Sequence, residues 1–490
     1  MPDTTGEGAA REGAAREGAA REGPAREGGA REGGAAGGPG PQFAPGPGGP
    51  LPFVADLLLA DHHCHGVIRR DVDRRGFEAL LTEAGDAYGR LPGRAPGHVT
   101  LFDSQAGLAV RRWCPPVLGL PAHAEPDAYL QRRADLGAAE VSRLFLRAAG
   151  LGALCVDTGF EPEPLTSPAE MGAMAGAPAW EIVRLEQVAE SVAAAGAGPS
   201  GFADAFRQAL AVRARHAAGV KTVAAYRAGL DLGAARPTEA EVAAAAARWL
   251  GPAAGSAAAA SASSVTISAH SASSSVSATS SASAVSSART APGEASGAPP
   301  PGGAAGRAGP AGGARRLADP VLHRFLIWCG ADLGLPVQVH VGYGDRDVDL
   351  NRCNPLLLTP LLRALEPAGT PVMLLHNYPY HREAGYLAQV LPHVYVDLGL
   401  ATHNLGQRAG AVIAETLELV PFGKFLYSSD GFGLPELHYL GAVLFRRAVS
   451  RFLRAGLDDG AWTEADAARI ARLAGHENAA RVYRLASRAR

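Results

Sequence analysis

The segment Asp61-His62-His63-Cys64-His65 closes a short apolar run. On a strand, side chains two apart point to the same side. His63 and His65 can therefore present two imidazoles together. Imidazole nitrogens suit zinc, iron, nickel and copper. Read otherwise, the segment is a polar loop that happens to hold three histidines. Two further apolar runs end in the same way, Pro336–His340 and Pro371–His376. One such histidine is more often a satisfied core or loop residue. Two in successive runs, added to the His-x-His pair, point to a metal site. Asp430 follows the last apolar run, Lys424–Ser428, with Gly431 behind it. It can be a carboxylate ligand and proton acceptor, or a helix N-cap. Lys221 lies inside the run Gly219–Ala224, where a buried cation is expensive. It either snorkels its head to water or becomes a carbamate, an anion able to bridge two metal ions.

These residues need a scaffold that brings the ends of many strands together. The expected strands are Leu57–His63, Ala153–Thr158, Ile182–Leu185, Gly219–Ala224, Pro336–Val341, Val372–His376, Val394–Leu398 and Lys424–Ser428. Their continuous apolar character fits parallel strands buried on both faces. Helical spacing separates them, as in Gly137–Ala149, Phe202–His216, Pro435–Leu453 and Glu464–Ala474. Eight strands alternating with helices predict an α/β fold, a (β/α)8 TIM-type barrel with its polar residues at the C-terminal strand ends, where active sites of that fold sit. A doubly wound open sheet ranks second, because it would gather the polar residues at one switch point.

Two stretches of the 490 residues fall outside this pattern. Residues 1–50 repeat Arg-Glu-Gly-Ala-Ala-like pentads and then turn to Gly and Pro, with almost nothing to bury. They are expected to be a disordered tail. Residues 251–313 are rich in Ala, Ser, Gly and Pro, and read as a disordered insertion that interrupts a single domain over 51–490. Lengthening a loop adds only about 0.6 kcal/mol of closure cost per doubling. Lys plus Arg total 46 and Asp plus Glu total 48, a formal net charge of -2. That balance gives no electrostatic footprint for nucleic acid or an anionic membrane. No apolar run is long enough to span a bilayer, and no apolar leader opens the chain. The five cysteines form no Cys-x-x-Cys pair, so a reduced, cytoplasmic setting is expected.

The order His-x-His, Lys, His, His, Asp resembles that of the amidohydrolase superfamily. More specifically, the chain is similar to the FluG-type amidohydrolase domain. The matching stretches are Val220–Leu230, Val337–Leu350, His381–Leu387, Tyr427–Gly431, Pro435-Glu436, Tyr439–Ala442 and the closing Asn478–Tyr483. The resemblance implies that His63 and His65 bind one metal ion. His340 and His376 would bind a second, or one of them would contact substrate. Lys221 would bridge as a carbamate, and Asp430 would bind metal and act as the base. One or two divalent ions are expected per chain, zinc first, with manganese or iron as alternatives. A bound divalent ion brings the pKa of water from 15.7 towards about 7, so the expected reaction is hydrolysis of a C–N bond, an amide or γ-glutamyl amide, by metal-bound hydroxide. A single-metal decarboxylase or isomerase and a metal-binding scaffold without turnover are the rival readings. Tyr226, Arg227 and Arg382 follow the Lys221 and His376 runs, and a guanidinium there could clamp a substrate carboxylate. A surface salt bridge is an alternative of equal weight. The expected partner is a small-molecule substrate, with a homo-oligomer left open.

Overall fold

Seven of the eight apolar runs become strands in a computed structural model. It describes residues 49–90, 99–160, 163–251 and 316–488, all within the unit Pro39–Arg490. The tail expected over 1–50, apart from its last two residues, lies outside the described residues. So does the insertion expected over 251–313, apart from Gly251.

The strands are β1 (Leu59–Cys64), β2 (Leu151–Asp157), β3 (Ala179–Arg184), β4 (Gly219–Thr222), β5 (Val337–Val341), β6 (Val372–His376) and β7 (Val394–Val396). They form one parallel sheet in chain order. Parallel neighbours need a crossover on one face, and helices supply it. Leu185–Ala194 and Phe202–Arg213 connect β3 to β4, and Pro320–Asp332 precedes β5. The last of these starts cleanly: Pro320 takes the first helical position, and the Asp319 side chain accepts from the Val321 and Leu322 amides. It also packs close, since a Cβ on Gly330 would fall 2.7 Å from the Val220 side chain on β4.

The eighth run departs from expectation. Phe422–Lys424 is a 3-10 turn, and Phe425 makes a single parallel bridge to Val396. The segment still touches both edges of the sheet. Leu426 N–H donates to Val396 O at 3.0 Å, His62 N–H to Tyr427 O at 3.2 Å and Asp430 N–H to His63 O at 3.0 Å. It is not a regular strand because side chains replace part of the ladder. Ser428 Oγ donates to Asp397 Oδ2, and the Ser429 amide and hydroxyl both donate to the Asp61 carboxylate. Asp430 itself has φ 49°, which no strand residue adopts.

Two layers of core follow. Ala60, Cys155, Ile182, Met373, Leu426 and Tyr483 form a small cluster of their own. A much larger cluster packs the other sides of the strands, with Val220, Val337, Val339, Val372 and Leu374, against residues of the surrounding helices such as Phe206, Phe325 and Phe445. The register of β1 shifts between Asp61 and Cys64, and such irregularities re-aim side chains. The adjacent residues His62 and His63 thus both find buried partners: His62 pairs with Tyr483 and Asp397, and His63 with Lys221 and Asp430. All five cysteines are free and buried. Among the described residues, no helix is long and apolar enough to cross a membrane.

Glu186 locks β4 to the helices behind it. Its Oε1 accepts from Thr222 Oγ1 at 2.5 Å and from the Val223 amide at 2.9 Å, and faces His323 Nδ1 at 3.0 Å. Burial pushes this carboxyl up, but the His323 contact, the Arg227 charge and the Thr222 bond outweigh it and bring the group down to about 2. A carboxyl depressed on folding stabilises the native state at pH above its unfolded value, and that contribution is lost as pH falls towards the folded value. Stability should therefore decline between pH 4.5 and 2 partly through this group, and Glu186→Gln should flatten that decline. Unfolding midpoints measured across this range in both proteins check it; parallel curves would remove Glu186 from the account.

Candidate metal centre

Each site residue stands at or just beyond the C-terminal end of a strand. His63 and His65 close β1, Asp157 closes β2, Arg184 closes β3 and Lys221 lies near the end of β4. His340 lies near the end of β5, His376 closes β6, and Asp430 follows the irregular last segment. Parallel neighbours in register bring these ends to one rim.

Four ligand-type groups converge there. His63 Nε2 lies 2.9 Å from Asp430 Oδ1, His65 Nε2 lies 3.5 Å from the same oxygen, and His376 Nδ1 lies 3.5 Å from Oδ2. Two of the three sets of mutually close, buried ligand atoms among the described residues lie there, His63, His376 and Asp430, and His63, His65 and Asp157; the third is Asp61, Cys64 and His438. His63 belongs to both sets at the rim. His65 Nδ1 lies 3.1 Å from the Asp157 carbonyl oxygen. Only an N–H can satisfy a carbonyl, so this contact favours the tautomer with a lone pair on Nε2. Nε2 is then the ligating atom, beside Asp430.

The electrostatics fit the same reading. Burial and the Lys221 charge lower His63 to about 3, and burial lowers His376. Burial and the neighbouring His376 hold His340 well below the usual imidazole range. Neutral imidazole is the ligating form. Burial would raise Asp430, but the neighbouring His376 and the contacts with His63 and His65 hold it well below the usual carboxylate range. Neutral nitrogen donors with a carboxylate are a donor set for a divalent transition metal. His63, His65, His376 and Asp430 thus fit the ion that the sequence implies.

The backbone bends to build this arrangement. His376, Asn377 and Asp430 all have positive φ, 70°, 58° and 49°. Non-glycine residues there carry strain that clusters at functional sites. Carboxylates anchor the bends: Asp397 accepts from the His376 amide at 2.6 Å and from Ser428 Oγ at 2.6 Å, and Asp61 holds Ser429. Gly399 leaves the space, because a Cβ there would fall 2.4 Å from Ser428 Oγ and 3.4 Å from His376 Nδ1.

The other expected residues divide. Lys221 Nζ lies 2.9 Å from His63 Nε2 and 3.3 Å from Asp157 Oδ2. It is buried, so it does not snorkel, and burial lowers its pKa. The His340 ring packs between Tyr226 and His376, with centroids 4.5 and 4.6 Å away. It stands beside the convergent sets, outside both. The expectation fails for two arginines. The 3-10 turn Ala224–Tyr226 sends Arg227 away from the rim, to Glu190 Oε1 at 2.5 Å and the Leu317 carbonyl. Arg382 lies in the helix His381–Val390, 55% exposed and bonded to Glu418. Exposed pairs contribute at most about 1 kcal/mol. Arg382→Ala should shift stability by no more than that and leave turnover unchanged, as melting temperature and steady-state rates would show. A large rate loss would return Arg382 to the site.

Asp157, Arg184 and Asp397 were not singled out in the sequence, although the signal was present. Asp157 and Arg184 each close an apolar run with a charged residue, the pattern that marked His376.

Comparisons with known proteins agree with this geometry. Residues 301–485 match the family model described as Amidohydrolase. A curated relative, the protein FluG of Emericella nidulans, is 38% identical over 151 residues, which cover 31% of this chain and 17% of that protein. The chain therefore matches only a small part of that relative's length. A solved structure from Lactobacillus casei, provisionally described as a metal-dependent hydrolase, superposes with a TM-score of 0.66 at 24% identity, covering 89% of this chain and 98% of that one. A glucuronate isomerase from Caulobacter crescentus does so with a TM-score of 0.54 at 15% identity, covering 88% and 93%. At those identities the superpositions speak for the fold alone. Residues 301–485, which carry His340, His376 and Asp430, are thus similar to the amidohydrolase family, and the ordered His-x-His, Lys, His, His, Asp residues gather at one rim.

Proposed function

We propose that this chain is a metal-dependent hydrolase of C–N bonds, built on a TIM-type (β/α)8 barrel in which Phe425–Gly431 takes the place of the eighth strand. The observation that carries this reading is the convergence of His63, His65 and His376 on Asp430. His63, His65, His376 and Asp430 would hold the ion. A bound divalent ion polarises a carbonyl and makes water nucleophilic at neutral pH.

The chain's own residues do the rest. Asp430 accepts the proton of the attacking water and returns it to the leaving amine. Its low proton affinity keeps it ready as a base, and its two oxygens face different histidines. His340, packed at a tilt between His376 and Tyr226, is placed to contact substrate beside the ligands. Lys221 neutralises Asp157 and positions His63. Carboxylation of Nζ would make it an anionic bridge between two ions, and intact-mass measurement under carbon dioxide would reveal the added carboxylate.

Isomerisation on the same barrel is the second reading, supported by the fold shared with the Caulobacter glucuronate isomerase. One experiment separates the two. Metal-reconstituted protein is incubated with a panel of N-acyl and γ-glutamyl amides and, separately, with uronic acids. Amine release that stops with chelator and returns with metal supports hydrolysis. Aldose–ketose conversion without amine release would overturn it in favour of the isomerase.

A further inference from the structure

Arg184 has no role in the reading so far, yet it stands at the same rim. Its register partner across the parallel ladder is Lys221, so the two side chains leave the sheet on the same side. Both cations share one acceptor: Arg184 Nη2 lies 2.5 Å from Asp157 Oδ2, and Lys221 Nζ lies 3.3 Å from the same atom. The guanidinium is thus two hydrogen-bond lengths from Lys221, which itself touches His63.

The surroundings are shaped to hold this side chain. A Cβ on Gly159 would fall 2.1 Å from Arg184 Cβ, so only glycine lets the arginine lie there. The Gly159 amide donates to Asp157 Oδ1 at 2.8 Å and fixes the carboxylate. The Phe160 ring lies 5.6 Å from the guanidinium carbon and also meets the His65 ring at 6.4 Å. Arg184 is 8% exposed, and its buried Nε has no hydrogen-bond partner among the described residues. A guanidinium has five N–H donors in a planar fork, and one carboxylate oxygen does not use them.

Charge points the same way. Arg184 and Lys221 meet at the single carboxylate of Asp157. Two cations thus share one anion at this corner of the rim.

We infer that the substrate carries a carboxylate, and that Arg184 binds it through the donors Asp157 leaves free while the scissile amide sits against His63, His65, His376 and Asp430. Arg184 is then the specificity-determining residue of the site. The inference rests on the hydrolase reading only for the amide; the carboxylate subsite stands on Arg184 itself.

Matched substrates test it: N-acyl amino acids and the same compounds with the carboxylate converted to a neutral carboxamide. Metal-loaded wild type should favour the acids. Arg184→Met should lower kcat/KM for the acids by about 10- to 100-fold, the range for a lost hydrogen bond to a charged group, mainly through KM. The neutral substrates should be little affected, and Arg184→Lys should recover part of the loss. An equal fall on both substrate classes would show that Arg184 only holds Asp157, and would overturn the inference; so would a wild type without preference. If no amide is cleaved, the hydrolase reading fails but the subsite is still read by binding. Glutarate, and not glutaramide, should then raise the melting temperature of wild type and of Arg184→Lys but not of Arg184→Met. Equal stabilisation of all three proteins by glutarate would contradict the carboxylate site.

Discussion

Asp430→Asn should fold, retain much of its metal and lose about 10²- to 10⁴-fold in turnover, the span of general acid–base catalysis. The structure makes this variant unusually clean. Asp430 has φ 49°, a region in which asparagine is among the best tolerated side chains, so the backbone need not shift. Asparagine keeps one oxygen to face His63, yet its amide cannot take a proton from water. As a mere turn residue, Asp430 would be replaced by asparagine with little effect. Single-turnover rates and metal content on one preparation separate the two cases. Wild-type turnover in Asp430→Asn would remove it as the base.

The second large effect belongs to His63. It is the one residue common to both convergent ligand sets, with Asp430 Oδ1 and Lys221 Nζ each 2.9 Å from its Nε2. Loss of an outer partner of a metal ligand typically lowers metal affinity or activity by about 10- to 100-fold, and loss of the ligand itself should exceed that. His63→Ala should therefore lose metal at micromolar free ion and fall more than about 100-fold in turnover, while circular dichroism shows the native helix content. Removing the imidazole also leaves Lys221 with Asp157 as its remaining close partner. A folded His63→Ala protein with the full metal complement would place the ion elsewhere.

Much of this was legible in the sequence for a simple reason. A polar residue that closes a buried parallel strand cannot face the apolar layers, so it points to the rim. That logic singles out His63, His65, His340, His376 and Asp430, and it applies equally to Asp157 and Arg184. Arg227 turns to Glu190 because proximity in sequence to Lys221 says nothing about direction once a 3-10 turn intervenes. Arg382 was misread because a helix follows His376 and carries it outward. The last strand was expected from its apolar residues Phe425, Leu426 and Tyr427. What no local pattern showed was that Asp61 and Asp397, 336 positions apart in the numbering, would bind Ser429 and Ser428 and replace the ladder. Such long-range side-chain bonds, like the Asp157–Arg184 pair, exist only once the sheet has curled.

The most direct test of the account is the metal itself. Purified protein is stripped with chelator, dialysed against zinc, manganese or ferrous ion, and analysed for bound metal alongside amide hydrolysis. The account predicts at least one tightly held ion per chain, activity that tracks its occupancy, and loss of both in His63→Ala. A folded protein that holds no ion after reconstitution, or that hydrolyses amides equally well when stripped, would contradict it.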